Sequence, residues 1–296
     1  MIKKRMTLEK QLAWSGRLFV LPFVIGFLLF FLKPLLQSLY FVFQKVSLEI
    51  GGFRTEFVGV KNIKYIFLED PDYVRKLVES LVGMIYQVPL IIIFSLFMAV
   101  VINQKFRGRL IVRSIFFLPV IISSGVIIQI LKDDVFASNL TKGETAYMFQ
   151  SFGLRDILIR AGMVSGLIDL FTNVSNSIFE LMWKSGIQIL LFLAALQTIP
   201  PPLYEASSIE GATAWENFWK ITIPMISPII LVNIVYSIID SFTDYGNKVM
   251  LMISDASIGM QFENAAAMSW VYFLGVFIII GIAVFVMSKW VFYSGE

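Results

Sequence analysis

Long apolar stretches separated by polar connections set the pattern of this chain. Six of them reach or approach the ~20 residues that a helix needs to cross ~30 Å of hydrocarbon. They run over about 18–43, 80–102, 110–131, 177–196, 225–242 and 270–292, the first carrying Lys33-Pro34 in its outer half. None has the strict alternation of a membrane barrel, so the spans are predicted to be helices. The expected fold is an all-α integral membrane protein, with a tail over 1–17 and one transmembrane domain over 18–296.

The connections set the orientation. The tail holds Lys3, Lys4, Arg5, Lys10 and Arg17 against Glu9. The turn after the second span holds Lys105, Arg107 and Arg109, with Arg113 just beyond, and no acid. Residues 44–79 carry six bases and six acids, and residues 132–176 four bases and five acids. The positive-inside bias therefore predicts both termini in the cytoplasm, and with them the connection between spans four and five. Within the exterior loop 132–176, Leu154, Ile157, Leu158, Ala161, Val164, Ile168 and Phe171 share a helical face. An interfacial amphipathic helix is predicted there, either a packing lid or a docking surface.

Composition sharpens this picture by exclusion. Residues are 57% hydrophobic and 15% charged, against about a quarter charged in soluble domains. A net charge of +3 is too small to argue for nucleic acid. Cysteine and histidine are both absent, which removes disulfides, thiolate chemistry, zinc sites and Ser-His triads. Neither a phosphate-binding loop nor a dinucleotide fingerprint occurs, so any ATP that drives this protein is expected on another chain. The basic N-terminus ahead of an apolar run resembles a secretory signal. The run is too long, and no small-residue cleavage site follows, so it is read as a retained first span.

Residues 197–228 form an unusual connection, rich in helix formers. Pro200, Pro201 and Pro202 stop the fourth span, and Leu203–Glu210 can form two helical turns. Gly211 breaks that helix. Thr213 and Glu216 then form a capping box for a second short helix, with Trp215, Phe218 and Trp219 on one face and Pro224 closing it. Glu205, Glu210 and Glu216 outnumber Lys220, against the local positive-inside trend. A protein-docking surface would account for the exception.

Here the sequence resembles a known family. Permease subunits of binding-protein-dependent ABC importers carry the cytoplasmic signature E-A-A-x3-G-x9-I-x-L-P. This chain has Glu205-Ala206-Ser207, three residues, Gly211, nine residues, then Ile221-Thr222-Ile223-Pro224. Ser207 stands in place of alanine and Ile223 in place of leucine. Phe57–Phe67, Asn103–Pro119 and Leu193–Ala212 resemble further segments of the sugar-importing, maltose-type branch; related branches import glycerol phosphate esters. The resemblance implies a type I importer permease fold of six helices in a bacterial or archaeal cell membrane. It implies a coupling loop over 197–224 whose Glu205, Ala206, Ser207, Gly211, Ile221 and Pro224 meet an ATPase subunit. The implied partners are a second permease, two ATPase subunits holding ATP and Mg, and an extracytoplasmic solute-binding protein delivering a sugar. No cofactor is expected on this chain, and no catalytic residue.

A polar stripe marks span five. Asn233, Ser237, Asp240 and Asp244 recur at helical spacing, flanked by Tyr236 and Ser241. Span four adds Glu180, Trp183, Lys184 and Gln188. An acid at membrane depth costs ~2.5–3.5 kcal/mol against lipid, so the stripe should face the bundle interior or a watery cavity. It serves either as interhelical glue, with a Lys184–Asp240 pair, or as a substrate pathway. Two other functions compete with the importer permease. An ion-coupled carrier would need an internal repeat and an ion site, and no convincing repeat is present. A scaffold or receptor explains neither the loop nor the stripe.

Overall fold

A computed structural model describes residues 8–49, 52–104, 107, 108, 111, 113, 114, 116, 158–244 and 246–291. Most of predicted span three, most of the exterior loop and the end of predicted span six lie outside them. The described residues fall into two compact units. One is the chain through Ser80 with Asn247–Gly275, and the other is Leu81–Gly246 with the chain from Val276 onward.

The first unit opens with α1 (Leu8–Gly26), a π-helical stretch (Phe27–Leu32) and α2 (Lys33–Phe41). Pro34 explains the π stretch. It has no N–H to give to the carbonyl of Phe30, and its ring clashes there, so the helix widens instead of breaking. The predicted first span is thus one helix, and Trp14–Phe41 is long and apolar enough to cross a membrane.

A hairpin that the span pattern did not predict follows: β1 (Gln44–Glu49) pairs antiparallel with β2 (Gly52–Phe57), in the register Val46 to Thr55. Asn62 closes its base. This buried amide donates to the carbonyls of Val42 at 2.9 Å and Gln44 at 2.7 Å. Residues Lys61–Lys64 form the short α3, and Asp70 accepts from the Asp72 and Tyr73 amides at 2.9 and 2.8 Å to start α4 (Tyr73–Asn103). That helix is 31 residues long, well beyond the predicted 80–102.

The second unit takes up α4 from Leu81 and resumes at residue 158. The amphipathic helix expected around residues 154–171 is not continuous. The chain turns at Gly162, where φ is +73°, and passes through extended Val164. Only then does α5 (Ser165–Lys184) begin. Its residues Val164 and Phe171 stay exposed while Ile168 is buried, so the expected face does not pack as one. Predicted span four is two helices, α5 and α6 (Gly186–Thr198), meeting at Ser185.

The helix α7 (Pro201–Ile209) leaves α6 at a bend of 64°. Then come α8 (Ala214–Asn217), a π stretch (Phe218–Thr222) and α9 (Ile223–Thr243). Pro224 does not close the second short helix, as its sequence position suggested. It removes the bond to the Lys220 carbonyl, the π stretch absorbs the loss, and Ala214–Thr243 runs on as one 30-residue helix.

In the first unit, α10 (Lys248–Ile258) is capped by Asn247, whose side chain accepts from the Val249 amide at 3.0 Å. The chain then forms α11 (Phe262–Ser288), which begins eight residues before the predicted sixth span. Tyr73 donates to the Met268 carbonyl at 2.8 Å, both residues buried, and Trp270 donates to Ser38 at 3.2 Å. Four helices among the described residues are long and apolar enough to cross a membrane, or five if the bent pair α6–α7 counts as one span.

Candidate functional site

Two groups of candidate residues lie in the second unit, toward opposite ends of α9. The first is the helix–glycine–helix element. Glu210 caps α7, and Gly211 follows with φ +83°, a left-handed conformation that favours glycine. The Gly211 amide donates to Ser208 at 3.1 Å and the Ala212 amide to Ser207 at 3.0 Å. Those two bonds are a Schellman ending, which satisfies carbonyls a helix end would leave orphaned. Thr213 then opens α8 with both halves of a capping box: Glu216 donates its amide to the Thr213 hydroxyl at 3.3 Å, and its carboxylate accepts from the Thr213 amide at 2.9 Å.

Tyr204 and Thr222 share a hydroxyl hydrogen bond of 2.8 Å, tying α7 to the π stretch. Nothing in the signature spacing announces this tie. The outer surface of the element is apolar and acidic together. Trp215 and Trp219 meet edge to face at 5.6 Å yet remain 69% and 51% exposed, and Ile209 is 87% exposed beside exposed Glu205 and Glu210. Ala206 and Gly211 are exposed as well, while Ser207, Ile221 and Pro224 are half-buried. Exposed tryptophans of this density mark an interaction surface. On the inner side, Tyr204, Asn217, Phe218 and Thr222 line a cleft with Val100, Asn103 and Gln104. The helix–glycine–helix element and the end of α4 therefore stand at the same end of this unit.

The second group divides in two. Asn233 and Ser237 are fully buried in the packing of α9 on α6, and Gln188 donates to Ser237 at 3.0 Å. Both side-chain polar atoms of Asn233 and the Gln188 carbonyl oxygen have no hydrogen-bond partner among the described residues. Farther along α9, Lys184 ends α5 and reaches Glu180 at 2.9 Å and Asp244 at 2.7 Å. The expected Lys184–Asp240 pair is therefore replaced by Lys184–Asp244, one turn farther along α9. Asp240, Tyr236, Ser241 and Trp183 are half-buried around the ion pairs, and Glu180 is the most open of the carboxylates. The structure thus separates the stripe into a buried amide–hydroxyl group and a partly open charged group.

Long apolar helices joined by a polar, capped element define a multi-pass membrane protein. Residues 72–292 match the family of the binding-protein-dependent transport system inner membrane component, and the chain belongs to that family. It is 29% identical to the probable ABC transporter permease protein YesP of Bacillus subtilis (strain 168), over 100% of this chain and 97% of that protein. It is 31% identical to the lactose transport system permease protein LacF of Rhizobium radiobacter, over 79% of this chain and 75% of the relative. A solved bacterial ABC transporter involved in the import of the acidic polysaccharide alginate superposes with a TM-score of 0.67 at 19% identity, covering 95% of this chain and 97% of that one. The fold is that of a type I ABC importer permease.

Proposed function

We propose that this chain forms half of the translocation pathway of an ATP-driven importer for a carbohydrate delivered by an extracytoplasmic binding protein. The observation that carries the coupling part of this reading is the element over 201–222: locked at Gly211, capped at Thr213 and continuous with α9. Such an element passes a push on its exposed Trp215–Trp219 surface straight into a spanning helix. Six spans with both termini in the cytoplasm put it beside the basic turn after α4, and the cleft shared with Asn103 and Gln104 supports that placement.

Two ATPase subunits, holding ATP and Mg, would bind this surface, and a second permease would complete the pathway. The nucleotide must favour one state of the pathway differentially to move anything. Carbohydrate is supported by the names of several relatives, which import lactose and arabinooligosaccharides, and by the alginate importer of the same fold. A relative 28% identical carries sn-glycerol-3-phosphate, which keeps a phosphate ester as the second reading of the substrate. Co-purification of the full chain from its own cells tests the assembly. An ATPase that stays bound to the wild type and is lost from Trp215→Ala/Trp219→Ala supports it, and a chain that transports alone refutes it.

A further inference from the structure

The charged group at the far end of α9 has a sign. Glu180, Lys184 and Asp244 form a triad in which two carboxylates lie within 3 Å of one ammonium, at 2.9 and 2.7 Å, leaving a net charge of −1. Asp240 stands one turn before Asp244, and its charged neighbours are Asp244 and Lys184. When ionised it brings the group to −2. Among the described residues Lys184 is the one cation of the group, and it is already engaged twice, so it has little field left for an incoming anion.

A second feature points toward a ligand. On α6 and α9, Gln188 and Asn233 are completely buried and have polar atoms without hydrogen-bond partners among the described residues. Such groups are rare in packed interiors and call for an unmet partner. They continue the column inward from the triad: Gln188 is one turn beyond Lys184, and Asn233 lies on the Asp240 face of α9. Amide groups of this kind seek hydroxyls.

We propose that this column selects for electrically neutral, hydroxyl-rich solutes and rejects anionic ones such as phosphate esters and uronate oligosaccharides. The inference rests on the pathway reading above and narrows its substrate class. An anion arriving at the triad meets like charge in a site partly closed to water, where screening is weak. A neutral sugar meets acceptors for its hydroxyls and no repulsion.

The absence of native cysteine makes the local potential measurable. Ser241→Cys, beside Asp240, and Thr243→Cys, at an exposed position beside Asp244, are each introduced into the full chain in membranes. Each is treated with methanethiosulfonate reagents bearing an ammonium or a sulfonate, and rates are normalised to a free small thiol. The ammonium reagent should react about tenfold faster than the sulfonate. Adding Asp240→Asn with Asp244→Asn should erase most of that preference. The ratio at whichever position reacts decides: a ratio near one, or favouring the sulfonate, overturns the charge selection and leaves the pathway reading standing. Thiols at both positions that neither reagent reaches from either side of the membrane overturn the pathway reading and this inference with it.

Discussion

Gly211 is the position where a small change separates two roles of the coupling element. Its φ of +83° costs a residue with a Cβ roughly 1–2 kcal/mol, and asparagine less, because its side chain tolerates the left-handed region. A Cβ built there meets nothing within 4 Å in this chain, so the penalty is conformational and not steric. Gly211→Ala should therefore open the Schellman ending, and Gly211→Val more so, while Gly211→Asn nearly preserves it. Opening by 1–2 kcal/mol is roughly a 5- to 30-fold shift in the local equilibrium. Hydrogen exchange reads it directly at the Gly211 and Ala212 amides, which donate to Ser208 and Ser207. Unchanged protection in Gly211→Val would refute the account of this helix end. The assembled importer then adds an independent reading. If the turn alone matters, Gly211→Asn keeps ATP hydrolysis coupled to substrate; if an ATPase packs against the bare Cα, Gly211→Asn uncouples it with its protection intact.

Three further outcomes follow from the contacts described. Asp244→Asn removes one of the two carboxylates on half-buried Lys184 and should destabilise the solubilised chain by about 1–2 kcal/mol, with Lys184→Met relieving at least half; strictly additive effects would show the pair to be uncoupled. Tyr73→Phe removes the side-chain donor to the Met268 carbonyl, which keeps its helical bond within α11, and should cost about 0.5–1.5 kcal/mol in thermal unfolding; an unchanged midpoint would mean the bond contributes nothing net. A reporter fused after Glu296 should be active only in its cytoplasmic form, and one inserted near Gly143 only in its exterior form; agreement between the two would remove the even span count.

The sequence made the apolar helices legible but not their ends. Hydropathy reports what lipid tolerates, and a helix stops where its backbone bonds are capped. Thus α4 starts at Tyr73 because Asp70 takes the first amides, although Arg75, Lys76 and Glu79 disqualify that turn as a span. The Lys184 partner was not legible for a related reason. Spacing puts Asp240 and Asp244 on one face of α9, but only the axial offset between α5 and α9 chooses between them. The hairpin leaves a partial mark: Gly51-Gly52 signals a turn between two runs that favour strands, but it does not give the register, in which Gly52 already pairs with Glu49. The long-range contacts of Asn62 and of Tyr204 with Thr222 leave no such mark, because each is a single polar residue meeting a distant partner.

The helix runs on through Pro224, and this bears on how the proposed importer would work. A helix interrupted at Pro224 would hinge there, and a push on Trp215 would be lost in the hinge. The π stretch over Phe218–Thr222 removes the hinge, because widening by one residue accommodates the missing bond without releasing the chain. Ala214–Thr243 then runs on as one helix of 30 residues, about 45 Å at helical rise, with a second interior proline at Pro228. One end presents the exposed Trp215 and Trp219. Near the other stand Asp240 and the Asp244–Lys184 contact that ties α9 to α5. The Schellman ending at Gly211 and the Tyr204–Thr222 bond tie α7 to the base of this helix. In the proposed importer, a displacement applied at the base would travel along α9 toward the Lys184–Asp244 contact, which a nucleotide-driven change would have to keep or break.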